Sequence, residues 1–266
     1  VPVLVDLKPS GAHYMEHLYE DGGLMAVLKE LKPHLYLDCL TISGRTLGEE
    51  IELAKVTKVR KVIRISSDPI FPVGGLAVLR GNLAPRGAVI KHSAASPDLL
   101  KHRGRAVVFS SLEDLALRID SPDLDVNADD ILVLQNAGPK GAPGMPEAGY
   151  LPIPKKLAQA GVKDMVRISD ARMSGTAFGT IVLHITPESA ENGPLAIVRN
   201  GDMIVLDVSQ RLLQLELDDE EIQKRIAALA PPAERLAIPE SGYRRLYQTT
   251  VTQADIGCDF DFMVPS

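Results

Sequence analysis

Two glycine-rich segments carry the side chains of this sequence that are best suited to chemistry. The first, residues 135–154 (QNAGPKGAPGMPEAGYLPIP), follows the apolar run ILVL, and its glycines and prolines exclude a regular helix or strand. Glu147 is the only acid within it. A carboxylate on a stiffened loop suits a hard cation such as Mg²⁺, because a pre-ordered ligand binds without a further ordering cost. From composition alone, a solvated loop glutamate is the alternative.

The second segment, residues 166–185 (VRISDARMSGTAFGTIVLHI), places small and hydroxyl-bearing residues between two apolar runs. We expect Ser174, Gly175 and Thr176 at a turn between strands, where free backbone N–H groups, with those near Gly179, could hold a carboxylate or phosphate. Ser174 could also be a nucleophile or proton carrier, since a neighbouring metal lowers the pKa of a hydroxyl. The alternative is a tight turn satisfied by its own hydroxyls. The G-x-S-x-G elbow and the nucleotide-binding loop pattern are both absent from this segment.

Longer runs around both segments resemble a known enzyme family. GPKGAPGMPE and SDARMSGTAFGTIVLHITPESAENGPLAIVRNGDMIVLDV are similar to the family of dihydroxy-acid dehydratase, 6-phosphogluconate dehydratase and the aldonate dehydratases. GGLAVLRGNLAPRGAVIKHS and VTQADIGCDFDFM extend the resemblance over essentially the whole chain. DARMSGTAFGT resembles the sugar-acid branch, whereas the branched-chain enzymes more often carry a GRFSGG-like run there.

The resemblance implies a hydro-lyase that converts a 2,3-dihydroxy sugar acid to a 2-keto-3-deoxy acid with Mg²⁺ and an iron-sulfur cluster, expected to be 2Fe-2S. It makes Glu147 a magnesium ligand and Ser174 the general base that removes the C2 proton, while cluster iron assists the departing C3 hydroxyl. The metal would spread the enolate charge. Gly175 and Thr176 are expected to contact the substrate. A branched-chain dihydroxy acid is the alternative substrate, which would require apolar pocket walls.

The family's cluster cysteines and remaining magnesium ligands have no counterpart in this sequence. Cys39 and Cys258 are the only cysteines, they lack the spacing of a zinc site, and we expect buried thiols. We therefore expect the C-terminal part of a longer enzyme, inactive alone and dependent on the missing N-terminal domain of the same protein. The opening VPVLVDL, which reads as a strand with no leader, agrees with this expectation. A non-catalytic swivel subunit that docks on a cluster-bearing partner is the alternative.

The composition of this 266-residue chain argues against some classes of binding partner. Its formal charge of -6 is made of mixed acids and bases without a basic stripe, which argues against nucleic acid and anionic membranes as partners. No apolar stretch reaches the roughly 20 residues of a spanning helix. We expect a cytoplasmic protein with a small-molecule sugar acid as its partner, and the resemblance suggests a homo-oligomer.

The elements that position these residues divide at about residue 74. Before it, VPVLVDL, HLYLDCL and KVIRI are expected strands that alternate with a helix through Leu24, Val27, Leu28 and Leu31 and a second over TLGEEIELAK. We expect helix starts at Ser10 and Thr46, with Glu49 completing a capping box with Thr46. Residues 1–74 are thus predicted as an α/β segment, and the resemblance makes it the end of the N-terminal domain.

After that point the pattern changes to short β runs, which predict a closed or nearly closed β-barrel with peripheral helices. The runs are GAVIK, RAVVF, ILVL, MVRI, TIVLHI, LAIVR, MIVLDV and LLQLEL. The resemblance makes residues 75–266 a swivel-type domain, in a chain that is α+β overall. Asn200-Gly201 predicts a tight turn between strands, and DDEEIQKRIAAL predicts a helix with acids at its start. His13 and His17, four positions apart, are expected to share a helix face by coincidence.

Overall fold

The fold was analysed in a computed structural model that describes residues 2–56, 60–145, 151–175 and 177–263. It contains two compact units, Val1–Gly75 and Leu76–Ser266. Among the described residues, no helix is both long enough and apolar enough to cross a membrane.

Helices form most of the regular structure described in the first unit. They are α1 (Met15–Glu20), α2 (Gly23–Leu31), a 3-10 turn (Lys32–His34) and α3 (Leu47–Leu53). The two predicted helices are confirmed as α2 and α3. The capping box is also confirmed, because the Thr46 hydroxyl accepts from the Glu49 N–H at 3.2 Å and the Glu49 carboxylate accepts from the Thr46 N–H at 2.7 Å.

Two predictions for the start of this unit are wrong. Ser10 does not begin a helix, because it lies in a turn closed by the Gly11 N–H and the Leu7 carbonyl at 2.7 Å. Helix α1 begins later, after Tyr14, whose N–H donates to His17 Nδ1 at 3.1 Å. His13 lies before α1 and pairs with Leu7 in a β-bridge, so the two histidines do not share a helix face.

The predicted strands of the first unit form single bridges in place of ladders. Val3 pairs with Phe71, and Val5 pairs with Ile63. HLYLDCL runs mainly through turns that leave Tyr36 and Leu40 exposed, and Leu40 forms a single bridge with Thr46. An apolar run becomes a strand only where a neighbouring segment pairs with it over several residues, and the described part of this unit supplies no such neighbour.

The second unit is built on a closed barrel of eight strands, which confirms the predicted fold class. The strands are β1 (Ala77–Gly81), β2 (Ala84–Ile90), β3 (Lys101–Phe109), β4 (Ile131–Leu134), β5 (Arg167–Ser169), β6 (Ile181–Thr186), β7 (Met203–Asp207) and β8 (Leu212–Leu215). Their order around the barrel is β1-β2-β6-β5-β4-β3-β7-β8. The neighbours from β3 through β4 and β5 to β6 are parallel, while β2 with β6 and β3 with β7 are antiparallel.

Strand β4 shows why these apolar runs become strands. Ile131 and Val133 pack in one core cluster with residues of all the other strands, whereas Leu132 and Leu134 pack in a second cluster with helix residues such as Leu115. A strand buried on both faces reads as a continuous apolar run, because successive side chains point to opposite sides.

Helices and short 3-10 turns surround this barrel. The helices are α4 (Leu112–Arg118), α5 (Lys155–Gln159), α6 (Asp219–Ala227), α7 (Pro232–Arg235) and α8 (Gly242–Thr250). The 3-10 turns are His92–Ala94, Pro97–Leu99, Ser189–Glu191, Pro194–Ile197, Ala254–Ile256 and Asp261–Met263. The predicted acidic helix is confirmed as α6, which Asp218 caps by accepting from the Glu221 N–H at 2.7 Å.

The run LAIVR is not a strand. Pro194 begins a 3-10 turn that buries Leu195 and Ile197 in the core. A short apolar run can bury its side chains in this way without pairing with a strand. Asn200-Gly201 therefore turns from this 3-10 segment into β7 and does not link two strands. Strand β1 (Ala77–Gly81) was not among the strands predicted from the sequence.

Candidate active site

Four strand ends create the candidate site. Because β3, β4, β5 and β6 are parallel, their carboxyl ends lie at one edge of the barrel, which we call the carboxyl edge. Leu134 of β4 pairs with Ser169 of β5, so residues 135–145 and 170–175 leave neighbouring strands side by side. The two glycine-rich segments selected from the sequence thus begin next to each other.

The 166–185 segment was expected to place Ser174 at a turn between two strands, and the Ser174 carbonyl accepts from the Ala177 N–H at 3.1 Å in the connection from β5 to β6. A single tight turn, which was the alternative, does not join these two strands. Since β5 and β6 are parallel, residues 170–180 form a crossover that returns to the opposite end of the barrel. A parallel pair cannot be joined by a tight turn, whatever glycines the connection contains.

Asp170 joins three of the strand exits. Its carboxylate accepts from the Ala137 N–H after β4 and from the Ser189 N–H after β6, each at 2.8 Å. The side chain is almost entirely buried, and burial raises the pKa of Asp170. One interior carboxyl group after β5 in this way satisfies backbone N–H groups that follow β4 and β6.

Glu188 holds the middle of the 135–145 segment. Its carboxylate accepts from the Lys140 N–H at 3.0 Å and from the Gly141 N–H at 2.9 Å. On its other side it accepts from Gln253 Nε2 at 2.6 Å. Burial raises the pKa of Glu188 to about 7 despite these donors.

The far end of this loop is tied to the crossover after β5. Arg172 Nε donates to the Met145 carbonyl at 2.9 Å. Met145 is buried, and its sulfur lies 3.4 Å from Cys258 Sγ. Glu147, the predicted magnesium ligand, lies outside the described residues, two positions beyond Met145.

Ser174 is half-buried in the crossover, and its carbonyl accepts from the Ala177 N–H at 3.1 Å. His184 of β6 fixes Met173, the residue before Ser174, since the Met173 N–H donates to His184 Nε2 at 2.9 Å. Lys91 Nζ donates to the carbonyl of the exposed Gly175 at 2.9 Å. Thr176, the second predicted substrate contact, lies outside the described residues.

A buried ion pair supports the return of the crossover to β6. Arg167 Nη2 lies 2.9 Å from Asp164 Oδ1, and Asp164 also accepts from the Thr180 hydroxyl at 2.7 Å. Burial acts to raise the pKa of Asp164, but these hydrogen bonds hold it below its usual value. The N–H of Gly179 donates to the Ala94 carbonyl at 2.9 Å, so the expected contribution of Gly179 to an anion-binding nest is wrong.

The described residues do not offer a ligand set for the implied cofactors. An iron-sulfur cluster is held mainly by cysteine thiolates, and the sequence has two cysteines. Cys39 is exposed, which corrects the prediction of a buried thiol, while Cys258 is half-buried beside Met145. Burial raises the pKa of the Cys258 thiol and disfavours a thiolate ligand. Within the described ranges, no three His, Cys, Asp or Glu side chains lie close enough to hold a metal ion.

Sequence reasoning missed Asp170, Glu188 and His184. The first two follow the ends of strands β5 and β6 by one and two residues. An acid directly after a buried parallel strand is a usable signal, because such positions meet at one edge of the sheet. His184 gave a weaker signal, since it lies inside an apolar strand run.

The chain resembles proteins of known families along nearly its whole length. Residues 61–258 match the family described as dihydroxy-acid/6-phosphogluconate dehydratase C-terminal, and residues 1–50 match the corresponding N-terminal family. The chain is 51% identical to L-arabonate dehydratase of Azospirillum brasilense, over 99% of the chain and 46% of that relative.

Two further relatives carry other substrate names. The 6-deoxy-6-sulfo-D-gluconate dehydratase of Pseudomonas putida is 47% identical over 99% of the chain and 45% of its own length. A dihydroxy-acid dehydratase of Dehalococcoides mccartyi is 43% identical over 97% of the chain and 45% of its own length. The chain therefore spans just under half the length of these relatives.

Proposed function

The chain belongs to the dihydroxy-acid/6-phosphogluconate dehydratase family, and we propose that it supplies the general base and one magnesium ligand for dehydration of a sugar acid. The substrate is a 2,3-dihydroxy acid with further hydroxyl groups, and the product is a 2-keto-3-deoxy acid. The hydrogen bond between Arg172 and the Met145 carbonyl carries this proposal. It joins the crossover that bears Ser174 to the loop that leads to Glu147.

In this proposal Ser174 removes the proton from C2 of the substrate. The crossover suits such a role, because the backbone before Ser174 is fixed by His184 and the backbone after it by Lys91. A base held in one place loses little entropy when the substrate binds. Gly175 and Thr176 would contact the substrate beside it.

Glu147 would be the ligand that this chain gives to Mg²⁺, which when bound stabilises the negative charge that develops on the substrate carboxylate. Its loop is anchored at Ala137, Lys140, Gly141 and Met145 by side chains of the carboxyl edge. Four anchors limit how far the loop can move, which favours a metal ligand of fixed position.

The remaining ligands and the iron-sulfur cluster, expected to be 2Fe-2S, do not fit this chain. The two cysteines are too few for a cluster, and burial raises the pKa of the half-buried Cys258 thiol, which disfavours the thiolate form. We propose that the cluster ligands, and the groups that assist departure of the C3 hydroxyl, belong to an N-terminal part of the enzyme that corresponds to the half of the relatives not matched by this chain. A homo-oligomer of such complete chains remains part of the proposal.

A sugar acid is preferred over a branched-chain acid for two reasons. The DARMSGTAFG run resembles the sugar-acid branch, and relatives named for sugar acids reach 51% identity against 43% for the dihydroxy-acid dehydratase quoted above. The two substrate classes differ in the hydroxyl groups that the pocket must satisfy, which supports strong discrimination between them.

A chimera tests the proposal. Residues 1–266 would replace the matching segment of the A. brasilense L-arabonate dehydratase, and the product would be assayed with L-arabonate and with a branched-chain dihydroxy acid. We expect activity with the sugar acid and little with the branched-chain acid. The separate 266-residue chain, reconstituted with iron, sulfide and Mg²⁺, should show neither activity nor cluster absorbance.

Two outcomes would contradict the proposal. A folded chimera that binds its cluster but dehydrates neither acid would exclude the dehydratase role. A stoichiometric cluster bound through Cys39 or Cys258 in the 266-residue chain would exclude the assignment of the cluster to other residues.

A further inference from the structure

Building on the proposed function, we propose that Glu188 and Gln253 form a clamp that positions the loop leading to Glu147. Glu188 would be a positioning residue, because it touches the loop backbone and not the reacting atoms. The clamp joins three distant parts of the chain: residues 138–141, the exit from β6, and the segment that follows α8.

The hydrogen bonds of the clamp are reciprocal. Glu188 Oε1 accepts from Gln253 Nε2 at 2.6 Å, and Gln253 Oε1 accepts from the Glu188 N–H at 2.9 Å. This exchange fixes the plane of the carboxylate, so that Oε1 also accepts from the Lys140 N–H at 3.1 Å and Oε2 is turned toward the loop. Oε2 then accepts from the Lys140 and Gly141 N–H groups at 3.0 and 2.9 Å.

The loop backbone at Gly138 also lies in close steric contact with the Glu188 side chain. A Cβ atom built on Gly138 would lie 2.6 Å from Glu188 Oε2 and 2.8 Å from its Cβ. Only glycine permits this approach, so the loop backbone rests directly on the Glu188 side chain. A loop that needed only solvation would not require such a close contact.

The cost of burying Glu188 also indicates a role beyond packing. Glu188 is 1% exposed, and Asp170, which carries the same charge, is buried nearby. Burying a carboxyl group is expensive unless its hydrogen bonds are satisfied, and an apolar side chain would fill the same space at lower cost. What an apolar side chain cannot supply is an acceptor for two adjacent N–H groups.

The surroundings make this clamp sensitive to protonation. Burial raises the pKa of Glu188 to about 7, and the titratable groups that face it are Asp170, Tyr247 and Cys258. The Lys140 charge is already committed to Glu191 at 2.7 Å. A proton on Glu188 turns one acceptor into a donor, so at least one of its N–H partners loses its bond as the pH falls below about 7.

Amide hydrogen exchange in the 266-residue chain tests the clamp without any assay of activity. We expect Glu188→Gln to speed exchange at Lys140 and Gly141 by at least about tenfold, since an amide that keeps its oxygen toward Gln253 Nε2 turns its NH₂ group toward the two loop N–H groups. Glu191→Gln is the matched control, because it breaks the Lys140 side-chain ion pair on the same loop but leaves the clamp intact. Adding Gln253→Glu to Glu188→Gln should restore protection, because donor and acceptor are exchanged.

The chimera then tests positioning. Glu188→Gln should lower kcat by about tenfold or more and raise the Mg²⁺ concentration needed for half-maximal rate, whereas Glu191→Gln should stay within about twofold of the parent. The wild-type rate should fall below pH 7 with a step that Glu188→Gln lacks. Restored kcat in the exchanged double variant is the readout that a merely structural glutamate would not give.

The two proposals fail in different ways. Unchanged exchange at Lys140 and Gly141 in Glu188→Gln overturns the clamp even if the chimera is active, whereas an inactive chimera with the expected exchange pattern overturns only the dehydratase role. If Glu188→Gln does not fold, Gln253→Met removes the orienting amide and should speed exchange at the same two residues. Unaltered exchange in that variant overturns the clamp as well.

Discussion

Arg172 Nε and the Met145 carbonyl oxygen are 2.9 Å apart, which ties together the two segments that the sequence singles out for chemistry. Each residue stands two positions before a proposed functional residue, Arg172 before Ser174 and Met145 before Glu147. Parallel strands β4 and β5 bring the two segments side by side. The hydrogen bond between Arg172 and Met145 keeps the segments together beyond the ends of these strands.

The return of the crossover depends on Gly179, and we expect Gly179→Ala to destabilise the barrel strongly. Its φ is +96°, and an added Cβ would overlap Arg167 Nη2 and lie 2.6 Å from Asp164 Oδ1. Separating this buried ion pair should cost about 3–5 kcal/mol of unfolding free energy. Urea unfolding followed by circular dichroism measures the loss.

Gly201→Ala is the matched control for this substitution. Gly201 has a similar φ of +92°, but nothing lies within 4 Å of the added Cβ. It should lose only the roughly 1–2 kcal/mol of left-handed strain. Equal losses in the two variants would show that the Asp164–Arg167 pair does not confine Gly179.

Substitution of Glu147 tests the magnesium ligand. In the active chimera we expect Glu147→Gln to weaken Mg²⁺ binding, because an amide keeps the shape of the side chain but removes the charge that a hard cation prefers. Added Mg²⁺ should recover part of the rate, and calorimetric titration should show the lower affinity. Asp98→Asn, at an exposed acid, is the control. Unchanged affinity together with lost activity would contradict the ligand role.

The sequence was most informative where one pattern determined one element. The runs of β3 and β4 pack on both faces, so their continuous apolar character predicted buried strands correctly. LAIVR is also apolar but follows Pro194, and its first three residues belong to a 3-10 turn. Periodicity over so few residues cannot separate these outcomes, because each of them buries the same side chains.

The hydrogen bonds that hold the candidate site in place could not be predicted from the sequence, for a different reason. Glu188 and Gln253 are 65 positions apart and meet only because the barrel brings the exit of β6 to the segment after α8. Long-range pairs of this kind leave no local pattern. The glycine of the close contact, Gly138, was visible in the sequence, but its partner was not.

His184 should keep the crossover in place only in its neutral form. Its Nε2 accepts from the Met173 N–H, and burial, with the nearby Arg172, lowers the pKa of His184 below its usual value. Arg80, Arg86 and Asp255 line the same cavity of about 440 Å³ as His184. The folded state thus binds the proton less well than the unfolded chain, so His184 contributes full stability above about pH 6.5, and that contribution is lost as the pH falls toward the lowered value.

Nuclear magnetic resonance can follow both groups of this pair. We expect the His184 imidazole to titrate below about 6.5, and the Met173 amide to lose protection over the same pH range. His184→Gln places an amide oxygen at about the reach of Nε2 and cannot be protonated in this pH range, so its Met173 protection should be independent of pH. An imidazole that titrates at or above 6.5 would contradict this prediction.

Ser174 is the residue on which the proposed chemistry depends most directly. If its oxygen removes the C2 proton, Ser174→Ala in the chimera should leave folding and substrate binding nearly unchanged while kcat falls by about 10²-fold to 10⁴-fold. A substrate deuterated at C2 should show a primary isotope effect with the parent chimera when proton removal limits the rate, and C3 of the product should gain hydrogen from solvent in every turnover. Lys91→Met is a useful companion, because it removes only the ammonium that holds the Gly175 carbonyl and should cost less than Ser174→Ala. A Ser174→Ala chimera that keeps more than about a tenth of the parent rate would leave less than ~1.4 kcal/mol of barrier lowering to this hydroxyl, and the base would then have to be another group.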